Sequence, residues 1–384
     1  GNAAAAHAVR LCRPDVICGY PITPQTEVWD VLYRMLADGL LDCELIEPEG
    51  EHSAMSIIYG ASTAGARTFT ATAAQGLFYM FEPYISVANQ RLPVVMVNAN
   101  REILPPSTVW GSGQDIMMVK EAGWIQIHTE SCQEILDTII MAYRLAEDPE
   151  ILLPVTVAYD GYYLSYRSEP VDIPAQEMVD QFLPRRARIP RLDPEAPLSV
   201  GGRAPAAMTT EYRVKHMAAL QRSKRRLGEI EQEFKQKFGR SWGGQIEEYR
   251  CEDADIVLVS MGSCIGTARV IVDRKRDEGV KVGLIKVRMF RPFPEEELVR
   301  ALTGKQAIGV VDRNVCFGWN CGHLLVELRA ALANNLDCRI PMVNFIGGLN
   351  NADITLEHME RVIGAMQLAA KGEPYQRVTF LELE

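Results

Sequence analysis

Paired cysteines are missing from this 384-residue sequence. Its nine cysteines are scattered and none stands in a Cys-x-x-Cys pair. A disulfide framework and a clustered thiolate set for iron or zinc are therefore not expected in the chain. Cys316, Cys321 and Cys338 come nearest, but three thiolates at irregular spacing fall short of a cluster. No metal site is expected within the chain, and reduced thiols fit a cytoplasmic setting. The sequence also lacks an apolar run of membrane-spanning length, so no membrane association is expected. No charged-then-apolar leader opens it as it stands, and Gly1 is expected to follow a few preceding residues. Basic excess is absent too: a formal net charge of −10 argues against nucleic acid, whose phosphates would be repelled. One basic run, Lys224-Arg225-Arg226, is answered at once by Glu229, Glu231 and Glu233, which reads as a solvated helix face.

What is present is globular: 47% hydrophobic and 23% charged residues, in a chain too long for one ordinary core. Three short stretches organise it. Tyr20-Pro21-Ile22-Thr23-Pro24 follows an apolar strand over 15–19, and its prolines force a turn at the strand end. Glu49-Gly50-Glu51-His52-Ser53-Ala54 follows Leu45-Ile46 and opens a small-residue helix through Ala66. Thr70-Ala71-Thr72-Ala73-Ala74-Gln75-Gly76 closes a strand over 68–72. Three strand ends converging on small and polar residues indicate a ligand crevice in an α/β domain.

Apolar strands over 92–99 and 151–161 enclose an amphipathic helix over 133–147, the alternation of a doubly wound parallel sheet. Proline-rich, aperiodic sequence over 168–208 reads as an extended connection, followed by a charged helix over 211–237. Strands over 256–260, 282–287, 307–312 and 342–346, with helices over 266–277 and 321–334, make a second parallel-sheet domain. The expected division is 1–167, a connection at 168–249, and 250–384. The strand–Gly262–helix turn is of the type that binds phosphate through backbone amides, but an interface role is the stronger reading.

The order and spacing of Gly1-Asn2…His7, Tyr20 to Pro24, Glu51 and Ala74-Gln75-Gly76 carry a resemblance. Ser260-Met261-Gly262-Ser263, Gly283 to Arg288 and Arg291-Pro292-Phe293 extend it into the second domain. Together they resemble the α subunit of the pyruvate:ferredoxin oxidoreductase family of thiamine diphosphate-dependent 2-oxoacid:acceptor oxidoreductases. That resemblance implies a pyrimidine-binding-like domain followed by a transketolase C-terminal-like domain. It implies oxidative decarboxylation of a 2-oxoacid, pyruvate or a bulkier apolar or aryl one such as phenylglyoxylate. Electrons would pass to ferredoxin or a similar carrier, usually with coenzyme A taking the acyl group. The chain has no Gly-Asp-Gly…Asn pair placed like the family's metal–diphosphate motif. Mg²⁺, the diphosphate grip and the [4Fe-4S] clusters are therefore assigned to β, γ and ferredoxin-like δ subunits. A non-catalytic assembly subunit and a non-redox transketolase- or lyase-type enzyme are the alternatives.

By the same resemblance Glu51 is the catalytic carboxylate against the cofactor's aminopyrimidine, with Pro21, Ile22, Gln75 and Gly76 around it. Glu47 and Glu49 compete, and counting back from Tyr59-Gly60-Ala61 selects Glu51. A carboxylate that merely favours the start of a helix would look the same. Arg101, at a strand's carboxyl end, is the implied grip on the substrate carboxylate, with Asn100 the alternative should the alignment shift by one residue. Thr23 is a substrate hydroxyl or a turn-stabilising one. Trp110, in the loop over 103–113, borders the substrate or fills the loop's own core. His52 and His128 read as structural.

Overall fold

The computed structural model describes residues 1–185, 192–333 and 340–383. Its strands are β1 (Val16–Cys18), β2 (Glu44–Ile46), β3 (Thr68–Thr72), β4 (Val95–Asn100), β5 (Ile125–His128) and β6 (Val155–Asp160), then β7 (Ile246–Tyr249), β8 (Ile256–Ser260), β9 (Val282–Val287), β10 (Met289–Arg291), β11 (Ala307–Asp312), β12 (Met342–Ile346) and β13 (Val378–Phe380). Between β1 and β6 run α1 (Asn2–Cys12, ahead of β1), α2 (Thr26–Ala37), α3 (Glu51–Thr63), α4 (Ala74–Tyr79), α5 (Phe81–Asn89), α6 (Gln114–Met118) and α7 (Cys132–Ala146). The connection holds α8 (Gln176–Phe182) and α9 (Ala206–Phe238); α10 (Cys264–Asp277), α11 (Glu295–Leu302), α12 (His323–Ala333) and α13 (Leu356–Ala370) belong to the second half.

One sheet has the order β10-β5-β6-β4-β3-β1-β2 and the other β13-β12-β11-β8-β9-β7. Every residue of β3, β4 and β6 is buried, because helices cover both faces, and most of the polar residues among them sit on β3 and toward the carboxyl ends of β4 and β6. The expected parallel sheets need one amendment each. β10 runs antiparallel to β5 and β7 antiparallel to β9, so both sheets are mixed at one edge. β10 leaves the second half of the chain to close the first sheet, and Met289 enters that sheet's core. The 288–293 motif is thus a splice between the two halves.

Two sequence expectations change in the connection. It contains a short helix, α8, that the prolines obscured. The charged helix α9 starts earlier than expected and is not simply solvated. Ala219, Leu227, Ile230 and Phe234 make one buried face. Its charges pair outward to other elements: Lys224 with Glu296, Arg226 with Asp148, Glu233 with Arg144. The helix α7 beneath it is accordingly buried on nearly all sides, not half-exposed as its periodicity implied. Its start is capped by the Ser131 hydroxyl, which accepts from the Glu134 amide at 3.1 Å.

The two halves are joined by buried charge. Glu134, on α7, accepts from Lys286 Nζ at 2.8 Å and Arg288 Nε at 2.6 Å. Arg288 also pairs with Glu231 of α9 and donates to Gly244 O and Thr138 Oγ1. A second joint uses the turn at Gly262. The Ser263 amide donates to Asp160 Oδ2 at 2.7 Å, and Arg313 Nη1 reaches the same oxygen at 2.6 Å. Gly262 sits at φ 77°, and a Cβ there would lie 2.9 Å from that carboxylate. The anion that this turn holds is a side chain of the first domain.

Candidate functional site

The residues expected to form the crevice gather where the adjacent parallel strands β1, β2, β3 and β4 end. Of Glu47, Glu49 and Glu51, only Glu51 is buried, at 7% exposure. Glu47 is exposed and accepts from Tyr33; Glu49 is exposed and accepts from Ser53. Burial holds the Glu51 carboxyl above the usual carboxylate range, partly offset by its own backbone amide. No cation lies within ion-pair distance of it among the described residues. The wall opposite is Gly76: a Cβ there would stand 2.6 Å from Glu51 Oε1 and 2.5 Å from Thr72 Oγ1. Any side chain at 76 would collide with the carboxylate, so the glycine lets Glu51 and Thr72 pack against the start of α4. Around it lie buried polar atoms without partners: Thr70 Oγ1, Thr72 Oγ1, Gln75 Oε1 and Asn98 Oδ1. Thr72 and Asn98 face each other in the β3–β4 register.

A residue with no assigned role in the sequence, Asp115, ties these ends together. It is fully buried at the start of α6. Its Oδ2 accepts from the Ala74 amide at 2.8 Å, Asn98 Nδ2 at 3.0 Å and the Arg101 amide at 3.1 Å; Oδ1 accepts from Ile116 N. Burial raises its pKa to about 6, with these donors opposing. Three separate segments are registered by one carboxylate. The sequence signal was slight: an acidic residue one turn after Gly111-Ser112-Gly113, at a spot where an N-terminal helix carboxylate is common.

Arg101 is 8% exposed and carries no ion pair among the described residues. Its Nε and Nη2 both donate to Thr108 O, at 3.2 and 2.7 Å, and Nη1 donates to Thr23 O at 3.0 Å. It thereby binds the loop over 103–113 to the Tyr20–Pro24 turn, and two of its five N–H donors remain. Burial lowers its pKa, with Asp115 opposing. Asn100 is turned inward, its Oδ1 accepting from Asn98 Nδ2 at 2.9 Å. Thr23 stands half-buried beside the half-buried Pro21 and Ile22, its carbonyl rather than its hydroxyl in the Arg101 bond. Trp110 lies at the rim, 45% exposed, with its ring 4.4 Å from that of Tyr162. His52 pairs with Glu82, and burial drives His128 to about 4, leaving it neutral.

Family models match over most of the chain. Residues 7–232 match the model described as pyruvate flavodoxin/ferredoxin oxidoreductase, thiamine diphosphate-binding. Residues 254–359 match pyruvate:ferredoxin oxidoreductase core domain II. The chain belongs to this family. It is 42% identical to the α subunit of NADH-dependent phenylglyoxylate dehydrogenase from Aromatoleum evansii, over 97% of this chain and 91% of that protein. Pyruvate synthase subunit PorA from Methanothermobacter thermautotrophicus is 43% identical, over 100% and 97%. Ketoisovalerate oxidoreductase subunit VorA from Pyrococcus abyssi is 41% identical, over 98% and 96%. Among solved structures, a 2-oxoglutarate:ferredoxin oxidoreductase from Magnetococcus marinus superposes with a TM-score of 0.70 at 20% identity, over 96% of this chain and 64% of that one. A split-gene transketolase follows at 0.58 and 13%, over 97% and 99%. These two likenesses speak to the fold.

The crevice fits the aminopyrimidine half of the family's cofactor on three counts. Gly76 admits no side chain beside the carboxylate, Glu51 has no cation partner among the described residues, and Thr72 Oγ1, Gln75 Oε1 and Asn98 Oδ1 are orphaned polar atoms. Among the described residues no three His, Cys, Asp or Glu side chains converge as a metal site. Cys316 and Cys321 face each other across a hairpin as free thiols; Cys338 lies outside the described residues. No described helix is long and apolar enough to cross a membrane.

Proposed function

We propose that this chain is the α subunit of a 2-oxoacid:acceptor oxidoreductase and supplies the aminopyrimidine side of a thiamine diphosphate site shared with a β subunit. The observation that carries this is Glu51: a buried carboxylate with no cation partner among the described residues, packed against Gly76. Bound thiamine diphosphate would supply the nucleophilic carbon that attacks the 2-oxo group. Glu51, its affinity for protons raised by burial, holds a proton at N1′ of the aminopyrimidine and can release it. Pro21 and Ile22 wall the ring on the β1 side, and Gln75 and Gly76 on the β3 side. The remaining donors of Arg101 meet the substrate carboxylate, with Thr23 beside it; Asn100, bonded inward to Asn98, is the weaker candidate for that grip.

The rim supports an apolar or aryl 2-oxo monocarboxylate. The loop itself presents Leu104, Val109 and Trp110, with Tyr162 packed against the Trp110 ring, and apolar side chains suit such a substrate better than a second carboxylate. Mg²⁺ and the [4Fe-4S] clusters belong to the β, γ and ferredoxin-like δ subunits, with ferredoxin or a similar carrier as acceptor and coenzyme A as acyl acceptor. The complex works in the cytoplasm. The test is reconstitution: the chain alone should carry no iron and turn over nothing, and with its partner subunits it should oxidise a member of a panel of 2-oxoacids. Stoichiometric iron in the isolated chain, or a loaded complex inert toward the whole panel, overturns this reading.

A further inference from the structure

The loop over 103–113 begins and ends in the first domain, yet the second domain holds its middle. The Thr108 hydroxyl donates to Asn350 Oδ1 and also accepts from the Trp110 amide. The Asn351 amide donates to Gly111 O at 2.8 Å. The Gly113 amide donates to Arg313 O at 2.8 Å, and Gln114 exchanges two hydrogen bonds with the backbone of Val315. Asn350 and Asn351 both adopt left-handed backbone, at φ 50° and 64°, a conformation that asparagine tolerates better than most residues. Tyr163 anchors the far side of this turn by donating to Asn351 O at 3.2 Å. Thr108 is the pivot, since Arg101 grips its carbonyl while Asn350 holds its hydroxyl. A continuous chain therefore runs from the second domain through Thr108 to Arg101 and on to Thr23.

We infer that Asn350 and Asn351 are positioning residues for the 2-oxoacid: by fixing Thr108 and Gly111 they set Arg101 and the rim around Trp110. This rests on the functional reading above, and it gives the second domain a part in substrate selection beyond packing. The groups that meet substrate stay in the first domain, and the clamp acts only through them.

Asn350→Gly tests it, because glycine keeps the left-handed backbone and removes only the amide that holds Thr108. In the assembled complex the KM for the preferred 2-oxoacid should rise roughly two- to ten-fold, the size expected for losing one such hydrogen bond, while kcat changes less than about two-fold. Proton exchange at C2 of bound thiamine diphosphate should stay at the wild-type rate, since Glu51 lies on another strand end. Backbone hydrogen exchange over 102–113 should quicken. Thr108→Val, in the other domain, should reproduce these changes, and the double variant should be no worse than either single one. An unchanged KM beside faster loop exchange overturns the proposal, as do additive effects in the double variant. If the wild-type complex oxidises no 2-oxoacid, the functional reading fails, while the exchange comparison still decides whether Asn350 clamps the loop.

Discussion

At the junction of the two sheets, Glu134, Lys286 and Arg288 are almost wholly buried and each meets an opposite charge within 2.8 Å. At the crevice, Glu51 is buried with no cation, Asp115 is met only by amide and carboxamide donors, and several hydroxyl and carbonyl oxygens have no partner. Desolvating a charge costs several kcal/mol, which the joint recovers through its own ion pairs. The crevice does not recover it internally. The charges of the joint are paired with one another, whereas the carboxylate of Glu51 is left for a ligand to satisfy. The chain thus holds both kinds of buried carboxylate, told apart by their partners and not by their burial.

The largest way to break the comparison is at Glu51. Glu51→Gln keeps the size and the hydrogen-bonding reach but cannot take a proton from the aminopyrimidine. Turnover in the assembled complex should fall roughly 10²- to 10⁴-fold, the usual contribution of one acid–base group. Stability of the free chain should hold or rise, since an unpaid desolvation is relieved. If turnover persists while Glu49→Gln abolishes it, the proton belongs to the exposed carboxylate and the burial argument is wrong.

At the joint the same logic predicts the reverse outcome. Arg288→Met leaves Glu134 and Glu231 buried beside each other with one cation fewer, which should cost about 3–5 kcal/mol of folding stability. Denaturant unfolding of the chain should show the loss. Cofactor chemistry in whatever fraction assembles should be close to normal, because Arg288 touches no crevice residue. A variant as stable as wild type would mean that the joint is not held by its charges.

Much of this was legible in the sequence, and the illegible parts share a cause. β4, β6, β8, β9, β11 and β12 are readable because strands covered on both faces are mostly apolar, whereas β3 is carried by the threonine-rich stretch that ends at Gln75-Gly76. The spacing to Tyr59-Gly60-Ala61 selects Glu51 over Glu47 and Glu49, and Glu51 is also the one of the three that is buried. The antiparallel strands β7 and β10 are short and carry Glu247, Glu248 and Arg291, so no periodicity announces them. α9 looked solvated because charges that pair across to another element read the same as charges that face water. Asp115 leaves little local signal because three of its four donors come from residues 14 to 41 positions away. The loop's clamp at Asn350 spans 242 residues and left no mark that a local reading detects.

The smallest expected effect concerns pH, where the two regions should respond with opposite sign. Burial alone would raise the Glu134 pKa, but Lys286 and Arg288 outweigh it and the carboxyl sits below its usual range. Its stabilising contribution is present above the ordinary carboxylate pKa and is lost as pH falls. Asp115 goes the other way: burial lifts it from 3.8 to about 6, so the folded state binds its proton first. Its contribution is complete below pH 3.8 and is lost as pH rises through about 6, a change of at most about 3 kcal/mol at 1.36 kcal/mol per unit. Asp115→Asn should remove that slope and leave the acid-side loss due to Glu134 in place. The measurement is the urea midpoint of wild type and variant from pH 4 to 7. The difference between them should shrink as pH rises, because the wild type pays for ionising Asp115 and the variant does not. A difference that is flat with pH would mean that the Ala74, Asn98 and Arg101 donors fully compensate the buried charge, and Asp115 would then belong with the paired groups of the joint.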